Sequence, residues 1–157
     1  MTFSVSENTK IWALTVFRVL IGALFVYSGL SKLIQPIEYF EVAVAQYDLM
    51  PEKFIHVVSL IMPWIELIGG TFLLLGRRIP QAAGVLAALT GIFQMVLAQA
   101  LLRHLPMDEC GCFGGGFIHL TLYQSFALDT ILVLILIQLS DTKDSRVSLD
   151  CLLSCEK

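Results

Sequence analysis

Cys110 and Cys112 are separated only by Gly111 and are followed by Phe113, Gly114, Gly115 and Gly116. Two sulfurs this close along the chain close a small ring on oxidation, and strain in such a ring makes the disulfide easier to reduce than a structural one. The chemistry this spacing points to is reversible thiol–disulfide exchange. A partner thiolate must attack one sulfur in line. Gly111 opens backbone conformations closed to other residues, and the glycines after Phe113 leave room for a partner's backbone. Asp108 and Glu109 oppose a thiolate, while His104 and His119 favour one. Cys110, Cys112 and His119 are also a weaker candidate for a soft copper or zinc site, with His56 and His104 expected in the same outward half of the membrane protein. An ordinary structural pair is the third reading. No resident metal is expected.

A second set of residues is informative because it lies within apolar sequence. Arg18, Glu66 and Asp129 are ionisable residues inside segments that otherwise exclude charge. Charges in such places are costly and tend to face a bundle interior or a cavity. At about 1.5 Å per residue, Arg18 and Glu66 come to similar depths, roughly 10 and 13 Å from the same membrane face, so an ion pair between them is expected. Gln94 and Asp129 reach a common depth near the midplane, where a hydrogen bond is expected. Arg18, Glu66 and Asp129 are therefore the cofactor-binding candidates, for a proton or a quinone head group. The competing reading is polar glue between helices.

The elements that must position these residues follow from composition. Of 157 residues, 57% are hydrophobic and only 15% charged, with a mean hydropathy of +0.80. Soluble domains of this size look different. Apolar stretches cover 11–34, 54–75, 79–102 and 117–139, each long enough for the roughly 20 residues that cross a bilayer as helix. The first is too long for a secretion signal, contains Arg18 and lacks a small-residue cleavage site, so a retained helix is expected. The prediction is an all-α membrane protein: a four-helix transmembrane bundle over 1–140 and a cytoplasmic polar tail over 141–157.

Lys10, Arg77, Arg78, Lys143, Arg146 and Lys157 fall on one side of such a bundle, against Lys32, Lys53 and Arg103 on the other. The richer side is expected to be cytoplasmic. Both termini then face the cytoplasm, and the Cys110 loop of this multi-pass inner (plasma) membrane protein is periplasmic or extracellular, where disulfides persist. Cys151 and Cys155 would be cytoplasmic and reduced. A formal net charge of −3 and the lack of any basic stripe argue against nucleic acid.

Connections and small residues add detail. A tight turn at Gly76, Arg77 and Arg78 makes the second and third spans antiparallel neighbours. Pro36 and Pro51 bracket a stretch with Tyr39, Phe40 and Tyr47 that reads as a short interfacial helix. Arg18, Gly22, Phe25, Gly29 and Lys32 share one face of the first helix, where small residues let a neighbour approach. Gly84 with Ala88, and Ala87 with Gly91, are expected to pack in the same way.

Three patches resemble the MauE branch of the DoxX-like membrane proteins. They are Arg18, Gly22, Phe25, Ser28-Gly29 and Lys32; Pro63-Trp64-Ile65-Glu66-Leu67 with Gly69; and Asp108-Glu109-Cys110-Gly111-Cys112-Phe113-Gly114. The resemblance runs from the first helix to Leu139, and its third patch is the most specific. It implies a four-helix redox-associated membrane protein, MauE being linked to maturation of a disulfide-rich periplasmic dehydrogenase subunit. It does not imply methylamine chemistry for this chain. By resemblance Cys110 and Cys112 carry the redox function, and Arg18 and Glu66 belong to the shared scaffold.

The expected function is that of a membrane thiol–disulfide oxidoreductase in which Cys110 and Cys112 exchange electrons with a periplasmic thioredoxin-like partner or support disulfide maturation. If the chain is an oxidase, electrons leave to a quinone in the bilayer; if it is a conduit, another membrane thiol protein supplies or accepts them. Membrane oxidoreductases with an internal relay usually carry a second outward cysteine pair, and this sequence has none. The alternative is a non-catalytic subunit or assembly factor of a larger membrane complex, respiratory or electron-transferring.

Overall fold

The computed structural model describes residues 3–49, 51–103 and 121–141, with side chains from residue 12 onward. The described residues form five helices and no strand: α1 (Phe3–Ile34), α2 (Ile37–Ala45), α3 (Glu52–Leu75), α4 (Ile79–Leu102) and α5 (Leu122–Asp141). All but α2 are long and apolar enough to span a membrane, with the α1 span at Trp12–Ile34. Cys110, Cys112, His104, His119, Asp108, Glu109, Cys151 and Cys155 lie outside the described residues, as does all of the tail beyond Asp141.

The bundle reverses the pattern of a soluble protein. Arg18, Ser28, Lys32, Ser59, Glu66, Thr90, Ser125 and Asp129 are buried, while Leu20, Ile34, Phe54, Met95 and Leu102 are exposed. Lipid solvates apolar side chains, so the outer face has no reason to be polar and the costly groups turn inward. On α5 the buried positions are Leu122, Ser125, Asp129, Leu132, Leu136 and Leu139. Their alternating spacing of three and four keeps one seam facing the bundle.

α1 packs along α3 and α4 along α5. Arg18, Gly22, Phe25, Gly29 and Lys32 all lie on the buried face of α1, as their spacing predicts. A Cβ on Gly29 would meet the Pro63 carbonyl oxygen at 2.8 Å and the Leu67 nitrogen at 2.9 Å. At Gly70 it would meet the Gly22 carbonyl at 2.9 Å. These contacts are with backbone, so the two helices approach closely only because glycine is there.

The α3–α4 reversal is the tight turn expected. Gly76 caps α3 in the left-handed conformation at φ 65°, its N–H donating to the Leu73 carbonyl while the Arg77 N–H donates to that of Phe72. This pair of hydrogen bonds is a Schellman motif, which satisfies the last carbonyls of a helix. Pro80 then stands in the first turn of α4, where its missing N–H costs nothing. Near this turn α3 and α4 are tight, since Gly69 abuts the Leu86 side chain.

Other small residues of α4 behave differently from the expectation. A Cβ on Gly84 or Gly91 would meet nothing within 4 Å. The contact with α3 uses Leu86 and that with α5 uses the buried Leu97 and Ala100 side, so Gly84 and Gly91 are not helix-contact residues among the described elements.

The segment between Pro36 and Pro51 contains the short helix expected, and it is anchored. Phe40 and Tyr47 are 5% and 4% exposed, whereas Tyr39 is 66% exposed. The Phe40 ring lies 5.0 Å from Lys32 Nζ, and Tyr47 meets Phe93 edge-on with centroids 6.2 Å apart. A cation over an aromatic face and a T-shaped ring pair are both favourable arrangements.

Candidate functional site

A buried polar cluster joins α1, α3 and α5. Lys32 lies near the end of α1, and helical side chains lean toward the N-terminus of their own helix. Its ammonium therefore points back into the bundle, where it donates to Glu66 Oε1 at 2.7 Å and Oε2 at 2.8 Å and to Ser28 Oγ at 3.1 Å. The Ser28 hydroxyl donates to Glu66 Oε2 at 2.9 Å. Both charged side chains are almost wholly enclosed, at 2% and 7% exposure. A buried ion pair is tolerated only when each partner's remaining valences are met, as Ser28 does here.

Two sequence expectations are corrected at this point. Arg18 does not pair with Glu66. Its guanidinium lies against Gly76, so that a Cβ there would strike it. Gly76 is ten residues beyond Glu66, about 15 Å along α3. The depth count fails already at the Cα atoms: Gly22 packs on Gly70 and Gly29 on Pro63 and Leu67, a register that sets Arg18 level with Gly76 and Ser28 level with Glu66, and Lys32, one turn beyond Ser28, takes the carboxylate. This also removes Lys32 from the set of loop-side cations. Gln94 does not bond Asp129 either: its amide donates to Thr130 Oγ1 at 2.7 Å, one position along α5.

Asp129 instead lines a cavity of about 50 Å³ with Ser28, Lys32, Glu66, Thr90 and Ser125. Glu66 and Asp129 thus come together in one chamber, and Arg18 stands apart from it. Asp129 Oδ2 and Ser125 Oγ are buried and have no hydrogen-bond partner, and their residues are 7% and 1% exposed. Thr90 is spoken for, its hydroxyl donating to the Leu86 carbonyl at 2.8 Å. Unsatisfied buried polar groups are rare because each forfeits its hydration. A chamber of this size takes a few water molecules or the polar edge of a larger molecule.

An apolar groove of about 310 Å³ adjoins the chamber between α3 and α4. Met62, Leu89 and Phe93 line both spaces. Ile61 and Ile65 of α3 and Ile92 and Val96 of α4 form the groove walls, and Tyr47 and Leu49 close one end. Burial, with the Asp129 carboxylate adding to it, pushes the Tyr47 phenol up to about 12. Farther out, His56 Nδ1 lies 2.5 Å from Glu41 Oε1 at an exposed position between α2 and α3.

The sequence reading missed Ser28, Lys32 and Ser125 as members of one site. A signal was present: Ser28 with Lys32, and Ser125 with Asp129, are each four residues apart, which stacks both members on one helix face.

Four spans, a glycine-lined α1–α3 contact and a buried Lys32–Glu66 pair set the frame for comparison with known proteins. The family model described as "Methylamine utilisation protein MauE" matches residues 10–140. The chain belongs to the MauE family. The matched interval takes in all four spans and the positions of Cys110 and Cys112. The MauE protein "Methylamine utilization protein MauE" of Paracoccus denitrificans is 35% identical over 106 residues, covering 68% of this chain and 55% of that protein. The protein of the same description from Paracoccus versutus is 30% identical over 105 residues, covering 67% and 54%. The chain therefore spans about half the length of these MauE relatives. No solved structure matches.

Proposed function

We propose that this MauE-family protein is an integral membrane thiol–disulfide protein whose Cys110 and Cys112 exchange electrons with a thioredoxin-like partner on the outward side of the membrane. The observation that carries the reading is the Cys-Gly-Cys sequence in the connection between two spanning helices, α4 ending at Leu102 and α5 starting at Leu122. In the oxidising direction the dithiol of Cys110 and Cys112 becomes a disulfide, losing two electrons and two protons; in the reducing direction a partner's disulfide takes them. The names of the relatives add methylamine utilisation as a setting, and support of disulfide maturation is the task that such exchange serves in this reading.

The positive-inside argument supports the outward placement of the dithiol connection and the cytoplasmic placement of both termini. With Lys32 buried against Glu66, the outward side keeps Lys53 and Arg103 against Lys10, Arg77, Arg78, Lys143, Arg146 and Lys157. The remaining cysteines, Cys151 and Cys155, follow the last span and fall on the other side in this topology. Exchange with a partner on the dithiol side therefore depends on Cys110 and Cys112 alone. This same observation favours, as a second reading, a subunit or assembly factor that works within a larger membrane complex.

Acid-trapping the thiols in cells and alkylating them with a maleimide of added mass tests the reading. Wild-type protein should show both dithiol and disulfide forms, and Cys112→Ser should accumulate a mixed disulfide through Cys110. A single thiol state under all growth conditions, with no mixed disulfide, rejects thiol exchange and leaves the subunit reading.

A further inference from the structure

We infer that the groove between α3 and α4 and the polar chamber at its floor together bind a lipid-soluble quinone, with the isoprenoid tail and ring face in the groove and the oxygen-bearing ring edge turned toward Ser125 and Asp129. The inference deepens the thiol reading, on which its redox sense rests, by naming the class of electron acceptor. Oxidising the Cys110 and Cys112 dithiol releases two electrons and two protons, and reducing a quinone to its hydroquinone consumes two of each.

Three observations select this ligand. The first is the shape of the space. The chamber of about 50 Å³ is too small for a substituted six-membered ring, while the groove of about 310 Å³ accepts one, and the two share Met62, Leu89 and Phe93 as walls. A ring lying against these side chains brings one oxygen to the chamber. Ligand sites of this kind are mostly apolar with a few convergent polar groups.

The second is the set of unused hydrogen-bonding atoms. Ser125 Oγ and Asp129 Oδ2 are buried without a partner, and both residues line the chamber. A serine hydroxyl donates to a quinone carbonyl, and a carboxylate oxygen accepts from a hydroquinone hydroxyl. The same two atoms thus serve both redox forms of one ligand.

The third is charge. The Lys32 ammonium is already held by Glu66, and Asp129 adds a second acid to the chamber, so an anionic lipid head group meets no free cation there. Asp129 also lies seven residues beyond the start of α5 at Leu122, roughly 10 Å along the helix. A phospholipid head group tied to the interface does not reach that depth, whereas a neutral ring carried within the hydrocarbon does. Ile61 and Ile92 of the groove wall are 50% and 59% exposed, so the groove opens sideways to the bilayer in which such a ligand is dissolved.

The test uses the full chain carrying Cys110→Ser and Cys112→Ser, reconstituted in phosphatidylcholine nanodiscs and titrated with decylubiquinone while the heat of binding is read against protein-free nanodiscs. Saturable one-to-one binding is expected against the excess of phospholipid. Ile92→Trp, which fills the groove from a lipid-facing position, and Asp129→Asn should each weaken it by about tenfold or more, the scale of one lost buried contact. Decylbenzene, which has the tail and ring without the oxygens, should compete at least about tenfold more weakly.

Absence of saturable binding overturns the inference, as does binding unchanged in Ile92→Trp, or decylbenzene competing as well as the quinone, which would make the groove a seat for acyl chains only. Ile92→Trp leaves the polar chamber untouched and carries the test even where Asp129→Asn fails to fold. Because the titrated protein lacks the thiol pair, its result is independent of the trapping experiment. Quinone binding without thiol cycling in cells retires the thiol reading alone; thiol cycling without quinone binding retires this inference alone.

Discussion

At the scale of single residues, the Lys32–Glu66 pair is buried and held through both carboxylate oxygens, and its worth lies in what its loss would leave behind. Removing one partner strands a buried charge at a cost of about 3–5 kcal/mol, whereas replacing both by apolar groups of similar volume is often close to neutral. Glu66→Gln should therefore lower thermal stability in detergent markedly, and Lys32→Met with Glu66→Leu should recover most of the loss. If Arg18 were the true counter-ion, Arg18→Met would be the rescuing change instead, so thermal unfolding of the two double variants distinguishes the pairings. The sequence made the membership of Glu66 and Asp129 legible, because an acid within 20 apolar residues needs a reason. It did not reveal which cation serves Glu66. Counting depth from the start of the apolar stretch at 11 set Arg18 too deep, because α1 begins at Phe3 and its glycine contacts bring Arg18 level with Gly76, about 15 Å along α3 from Glu66. Gln94 choosing Thr130 over Asp129 is the same failure in azimuth, a difference of one residue that rotates the partner by about 100°.

Among the helices, glycine position separates contacts that need it from those that do not. Gly29 faces the Pro63 carbonyl and the Leu67 backbone, so Gly29→Ala must push α1 from α3, with an expected loss of about 1–3 kcal/mol from overpacking. Gly84 faces open space, and Gly84→Ala should be neutral or slightly stabilising through helix propensity, which favours alanine by up to about 1 kcal/mol. Unfolding midpoints of the two variants, measured side by side in one detergent, check this; equal losses would mean that α4 uses Gly84 in an interface. The extents of α3 and α4 were highly legible, whereas α1 begins at Phe3, eight residues before the expected stretch, and α5 ends at Asp141, two beyond it. The apolar stretches at 54–75 and 79–102 differ from α3 and α4 by two residues at most, since hydropathy, Pro51, Gly76 and Pro80 all mark the same boundaries. The small-residue pairs on α4 were not, because a spacing of three or four says that two residues share a face and says nothing about what that face meets.

For the whole molecule, the antiparallel order puts the end of α4 and the start of α5 on the side of α2 and the α3–α4 turn on the other. A single cysteine at 110 should react with a membrane-impermeant maleimide in intact spheroplasts, and one at 151 only after permeabilisation. The reverse labelling would invert the protein and place the dithiol in the cytoplasm. The four spans and their antiparallel order were legible from length, hydropathy and the brevity of the Gly76 turn. The opening between the helix pairs was not, since it depends on α3 and α4 meeting near Leu86 and parting beyond it, a matter of packing that no local pattern carries. The inward reach of Lys32 also has a consequence for biosynthesis. Its carboxylate partner is 34 residues further along the chain, which at roughly 5–20 residues per second is a delay of seconds during synthesis. Until α3 has been made, Lys32 lacks this carboxylate, and a lysine near a helix end can extend its ammonium to the aqueous boundary. The burial of Lys32 is thus coupled to the presence of α3, whose Glu66 is its carboxylate partner.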